Sequence, residues 1–154
     1  QQRLSITSPY FVPDDSLLYA ITTAAQRGVA VELFVSEQGE QFMVSHAQSS
    51  YYRFLLDAGV RIYLYPYPYV LHAKHFSVDD HTAVIGSSNM DIRSFNLDFE
   101  VSMMCTGPSF VAEMRKVEDM YRSLSRELTL DEWKKRSLSQ RWFDNVMRLT
   151  SAVQ

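Results

Sequence analysis

Cysteine is nearly absent. Cys105 stands alone among 154 residues, so no disulfide can close within the chain. Its setting, Val101-Ser102-Met103-Met104-Cys105, reads as the end of a buried strand rather than a reactive thiol. Long apolar runs are lacking too, none approaching the roughly 20 residues needed to cross a bilayer. An excess of positive charge is missing: 15 basic against 18 acidic side chains leave a net charge of −3. That gives no general footprint for nucleic acid, and no nucleic-acid partner is expected. There is no low-complexity tract and no flexible linker, so residues 1–154 are expected to form one domain. Gln1-Gln2-Arg3 leads almost at once into strand-like Leu4-Ser5-Ile6-Thr7, without a basic-then-apolar leader. Such a start is expected of a piece cut from a longer protein.

What is present is a repeating alternation of helix and strand. With 46% hydrophobic residues the chain can bury a sizeable core. Ser8-Pro9-Tyr10-Phe11-Val12-Pro13 is extended or turn-like. Asp14 and Asp15 favour the positive end of a following helix, whose apolar positions are Leu17, Leu18, Ile21, Ala24 and Ala25. Gly28 closes that helix, and Val29–Val35 is a branched-residue strand. The unit recurs: His46–Ala58 is read as a helix, Gly59 as its stop and Val60–Tyr65 as a strand. Two such units argue for right-handed crossovers. The expected fold is therefore α/β, a mixed, largely parallel sheet of about six strands flanked by helices. A hairpin of Leu71–Asp79 with Thr82–Ile85 is attached, and Phe99–Met104 makes another strand. Phe110, Met114, Val117, Tyr121, Leu124 and Leu128 form a helical stripe. A last helix, capped by Thr129 or Asp131, carries Trp133, Leu138, Trp142, Val146 and Met147. Its basic face (Lys134, Lys135, Arg136, Arg141, Arg148) suits either an anionic membrane or ordinary solvation.

The chemistry concentrates at Leu71-His72-Ala73-Lys74-His75-Phe76-Ser77-Val78-Asp79 and at Gly86-Ser87-Ser88-Asn89. In a pleated strand His72 and Lys74 share one face, where imidazole and ammonium can meet one anionic group, with phosphate or its ester the obvious candidate. Neutral imidazole can attack phosphorus while the ammonium offsets charge on the non-bridging oxygens. Ser88 and Asn89 can donate to the same oxygens. A carboxylate behind the imidazole would fix its tautomer, and Asp79, Asp91, Asp98 and Glu100 are available; spacing does not choose among them. Asp79 also fits a turn-forming acid that accepts from backbone amides. Arg93 either binds a second anion or clamps the loop to Asp98. No metal cage is apparent, because His72 and His75 face opposite ways on a regular strand and no cysteine joins them. Gly86 permits a turn or a close backbone approach.

His72-x-Lys74-x-x-x-x-Asp79 followed by Gly86-Ser87-Ser88-Asn89 resembles the HxKxxxxD and GSxN motifs of the phospholipase D superfamily. With Ser8–Pro13, Gly28-Val29, Asn89-x-Asp91-x-Arg93-Ser94-Phe95-x-Leu97-x-Phe99-Glu100 and the closing 133–149 segment, the chain is most similar to the C-terminal half of bacterial cardiolipin synthases. The resemblance implies catalytic His72, Lys74 and Asp79, phosphate binding by Lys74, Ser88 and Asn89, and supporting roles for Glu100 at the histidine and for Asp79. It implies no cofactor and no metal. Two motifs make one site: one histidine forms a phosphohistidine, the other protonates the leaving alcohol. Only one motif is present, since His46-Ala47-Gln48 lacks the lysine and acid. The implied partners are the first-motif half or a second copy, phosphatidylglycerol or another anionic phospholipid, and a membrane surface. Tyr63, Tyr65, Tyr67 and Tyr69 are candidates for the pairing surface. The implied location is the cytoplasmic face of the cell membrane within a longer enzyme, the isolated fragment being soluble and inactive unless paired. A dimeric phosphodiesterase or nuclease, and a non-catalytic assembly or lipid-binding half, are the alternatives.

Overall fold

The computed structural model describes residues 1–39 and 42–136. In chain order the elements are β1 (Arg3–Thr7), β2 (Phe11–Val12), α1 (Asp15–Gln26), β3 (Ala30–Ser36), α2 (Phe42–Asp57), β4 (Arg61–Tyr65), β5 (His75–Val78), β6 (Thr82–Gly86), β7 (Met90–Asp91), α3 (Ile92–Asn96), β8 (Ser102–Thr106), α4 (Pro108–Leu124), β9 (Arg126–Leu128) and α5 (Leu130–Lys134). Asp14 is the N-cap of α1, its carboxylate accepting from the Leu17 amide at 2.7 Å. Gly28 (φ +89°) and Gly59 (φ +94°) end α1 and α2 in the left-handed region that a Cβ disfavours.

Among the described residues, seven strands form one sheet in the order β8-β6-β5-β1-β3-β4-β9, and β2 pairs with β7 in a small second sheet. The expectation of a largely parallel sheet is overturned. Within the seven-stranded sheet only β1, β3 and β4 pair in parallel, as β2 and β7 do in the small one. The β1–β5, β5–β6, β6–β8 and β4–β9 pairings are antiparallel. The reason is topological: parallel neighbours need crossovers, and two crossover helices supply only three such strands. Everything after β4 is added by the β5–β6 hairpin, by the return of β8, and by α4, which carries the chain to the opposite edge.

The two faces of the sheet differ in chemistry. On one, Ile6, Val31, Leu33, Val35, Ile62 and Leu64 alternate inward and pack with Ile21 of α1 and Leu55 of α2. On the other, Ser5, Thr7, Glu32, His75 and Ser77 are buried beside Phe34 and Tyr63. α4 covers this second face and contributes Val111 and a fully buried Glu118. Arg122 clamps Glu32 with hydrogen bonds of 2.7 and 2.9 Å, and Arg3 adds one at 3.0 Å. Burial pushes the Glu32 carboxyl up, but the two guanidiniums prevail and hold it below its ordinary value.

Other expectations are also corrected. The ladder of β5 starts at His75, so His72 and Lys74 precede the strand rather than lie within it. Leu128 belongs to β9, not to the stripe of α4, because Ser125 turns extended (φ −90°, ψ 156°) and ends the helix. Cys105 is half-buried on an edge strand whose neighbours Met103 and Met104 are exposed. Thr129 caps α5, accepting from the Glu132 amide at 3.2 Å. Leu138, Arg141, Trp142, Val146, Met147 and Arg148, expected to continue that helix, lie outside the described residues. Among the described residues no helix is long and apolar enough to cross a membrane.

Candidate active site

His72, Lys74 and Ser88 gather where the parallel strands end. Thr7 and Ser36 close β1 and β3, and the extended segment carrying His72 and Lys74 passes over their carboxyl ends, the usual ligand side of an α/β sheet. Two contacts pin that segment: the Leu71 amide donates to Ser36 Oγ at 2.9 Å, and the Gly86 amide donates to the Lys74 carbonyl at 3.0 Å. His72 is left exposed. The Lys74 Nζ lies 3.2 Å from His72 Nδ1 and 3.4 Å from Nε2, and donates to the His72 carbonyl at 3.0 Å. Burial pulls the Lys74 pKa below its ordinary value, against the opposing pull of the Glu100 and Asp91 carboxylates.

The serine-asparagine stretch is fixed by a different set of contacts. At Gly86, a Cβ would come within 2.6 Å of the Val101 carbonyl oxygen, so β6 and β8 approach there only because no side chain intervenes. Ser87 donates its hydroxyl to the Glu100 carboxylate and accepts from the Val101 amide at 3.1 Å. Glu100, expected at the histidine, is therefore engaged by Ser87. The Asn89 amide donates to Ser94 Oγ at 3.2 Å, the Ser94 amide donates to Asp91 Oδ1 at 2.7 Å, and the Met90 amide donates to Ser8 Oγ at 3.0 Å. The β2–β7 pairing ties this loop to Phe11 and Val12. Asn89 Oδ1 is buried without a partner among the described residues. Arg93 clamps Asp98 at 3.2 Å.

Lys74 and Ser88 line one cavity of about 480 Å³. Asp79 stands elsewhere, at the far end of β5 and roughly 16 Å of extended chain from Lys74. It adopts φ +49° and its carboxylate accepts from the Gln2 and Arg3 amides at 2.7 and 2.9 Å. Those backbone donors hold its pKa below the usual value. The structure thus brings His72, Lys74 and Ser88 to one end, with Asn89 beside them, and leaves Asp79 at the other. The tyrosine row divides as well. Tyr63 is buried and stacked on Phe34 at 4.9 Å, whereas Tyr67 and Tyr69 are exposed close to His72 in sequence. Sequence reasoning did not single out Ser8 and Ser36 as the pins of the site. The only signal was a serine directly after each of the strand-like runs Leu4–Thr7 and Val29–Val35.

Among the described residues no three His, Cys, Asp or Glu side chains are grouped to hold a metal ion. What the site offers is a partly desolvated ammonium and a neutral hydroxyl lining an open cavity, with an exposed imidazole beside the ammonium. That set can bind an anionic phosphoryl group and present a nitrogen to it.

Comparison with known proteins assigns the class. Residues 1–121 match the family described as cardiolipin synthase, PLD-like domain, and the chain belongs to that family. It is 38% identical over 146 residues to cardiolipin synthase A of Proteus mirabilis (strain HI4320), covering 95% of this chain and 30% of that protein. Cardiolipin synthase A of Yersinia pseudotuberculosis serotype O:1b (strain IP 31758) is 40% identical over 141 residues, or 92% of this chain and 29% of that protein. The chain thus spans about 30% of the length of these relatives. The fold also matches phosphatidylserine synthase of Haemophilus influenzae Rd KW20 (TM-score 0.77, 19% identity, 99% of this chain and 40% of that one). It matches the phospholipase D family member Nuc of Salmonella typhimurium as well (TM-score 0.71, 18% identity, 83% and 82%).

Proposed function

We propose that this chain supplies one half of the active site of an enzyme that passes the phosphatidyl group of one phosphatidylglycerol to the glycerol hydroxyl of another, giving cardiolipin and glycerol. The observation that carries the proposal is the Lys74 ammonium 3.2 Å from the His72 ring at an open cavity. The choice of substrate is supported by 38–40% identity to cardiolipin synthases over more than nine-tenths of the chain. One motif imidazole attacks phosphorus; a P–N bond forms, the P–O bond to glycerol breaks, and the imidazole of the other motif gives the leaving oxygen its proton. That second imidazole then removes a proton from the acceptor hydroxyl, which attacks phosphorus and releases the first histidine. Lys74, Ser88 and Asn89 hold the phosphoryl oxygens, Asp79 fastens the strand behind them, and no metal takes part. The other motif comes from a preceding half or from a second copy, and the site works at the cytoplasmic face of the cell membrane.

The test is radiolabelled phosphatidylglycerol in vesicles, given to the whole enzyme that carries this chain, as wild type and as His72→Ala. Loss of cardiolipin formation by at least about 10³-fold is expected. Synthesis retained in the variant overturns the assignment of His72.

A further inference from the structure

The cavity that Lys74 and Ser88 share does not end at the polar groups. Behind them it runs along the sheet face between α1 and β6, where, among the described residues, α1 and α2 cover β1, β3 and β4 but not β5 and β6. Register explains its composition. Ile6 pairs with Phe76 and Phe76 with Val84, so one apolar row crosses β1, β5 and β6 on a single face. Leu4 and Val78 extend this floor, while Leu17, Ala20 and Ala24 of α1 form the wall. The two alanines keep the wall low. From Lys74 to Val78 the floor is roughly 13 Å long. A groove with an ammonium and a hydroxyl at its mouth and apolar side chains behind them fits an anion joined to an alkyl chain, and its volume lies within the range of ligand sites.

From this continuity we infer that the groove seats one acyl chain of the phosphatidyl group whose phosphate Lys74 and Ser88 hold. The inference rests on the phosphatidyl-transfer reading and adds to it a determinant of acyl-chain length. The chain lies along Phe76 and Val84, and Ala20 sets the room available beside it.

The experiment measures binding, so that it does not depend on turnover. Dihexanoyl-, diheptanoyl- and dioctanoyl-phosphatidylglycerol, each kept monomeric, are titrated calorimetrically into the 154-residue chain. Affinity is expected to rise about fourfold for each methylene that enters the groove. Ala20→Trp and Ala20→Glu change an exposed position, and an unaltered unfolding midpoint verifies that each variant folds. Both are expected to abolish the chain-length increment while leaving dihexanoyl affinity within about twofold, since an exposed substitution away from the mouth spares the headgroup contacts. Lys74→Ala should weaken all three lipids by one common factor and keep the increment. An increment absent from the wild type, or unchanged in either Ala20 variant, overturns the inference. If a helix of the pairing half fills the groove instead, Ala20→Trp weakens pairing while any chain-length increment survives, which also overturns it. An intact increment alongside an active His72→Ala enzyme would instead overturn the proposed chemistry and leave the groove standing.

Discussion

The two ends of β5 do different work. At the Lys74 end, the chain is held by two backbone-directed hydrogen bonds, and the side chains that matter are exposed or partly so. At the Asp79 end almost every group is tied down. The Asp79 carboxylate takes the Gln2 and Arg3 amides, its carbonyl takes the Arg115 guanidinium, and Arg115 meets Glu118 at 2.7 Å and Ser77 at 2.9 Å. Fastening is thus concentrated at one end and reactivity at the other. The strand transmits position between them, so the site residues carry little of the burden of folding.

The strongest way to break this division is to loosen the fastened end. Glu118→Leu takes from the Arg115 cation its 2.7 Å carboxylate partner, leaving it the neutral Ser77 hydroxyl, the Asp79 carbonyl and an exposed Asp80 at 3.9 Å, and should cost about 3–5 kcal/mol, read as a drop in urea midpoint. Gly86→Ala probes the junction between the ends, since the added methyl meets the Val101 carbonyl within van der Waals distance. It should destabilise the fold by about 1–3 kcal/mol, and amide exchange at Ser87 should quicken as β8 is pushed away. Third comes His75, one residue beyond Lys74 yet buried, with both ring nitrogens lacking hydrogen-bond partners among the described residues. Burial holds its pKa below the ordinary 6.5, with Glu118 pulling the other way. The unfolded chain therefore binds a proton that the native one resists, and this contribution, whole above about pH 6.5, is lost on acidification by up to about 1.4 kcal/mol per pH unit. Subtracting the stability profile of His75→Leu from that of the wild type should isolate a slope of that sign below pH 6.5; a flat difference would show that His75 is not the group titrating. Least of all, Lys74→Ala should shift stability by no more than about 0.5 kcal/mol, because nothing in the core leans on it. A larger loss would mean that the reactive end is structural after all.

The parts of this fold that repeat a local rule were legible in the sequence. Gly28 and Gly59 mark the ends of α1 and α2, and the branched runs after them are β3 and β4. The meeting of His72 with Lys74 was expected from the sequence, and their side chains lie 3.2 Å apart. What could not be seen depends on partners distant in sequence. The alternation from Leu71 to Val78 looks uniform, yet the ladder starts at His75 because its partner β1 ends at Thr7, directly opposite. Arg126–Leu128 continues the helical spacing of α4, and only the waiting edge of β4 makes it a strand. Glu118 occupies a position where the stripe calls for an apolar side chain; its partners Ser77 and Arg115 explain it only once β5 and α4 are packed together. The balance of parallel and antiparallel pairing lay out of reach for the same reason, since hairpin and edge strands declare their direction only through their neighbours.

The late arrival of β9 bears on how this domain should be cut. The family match stops at residue 121, five residues before the strand that closes the β4 edge begins. A chain trimmed to that boundary would keep the whole motif region but strip Leu128 from its place against Ile62, and Arg61 would lose the two 2.9 Å bonds it makes to Glu127. The bared edge of β4 would then invite another molecule to pair there, so the shorter piece should precipitate where the longer one stays in solution.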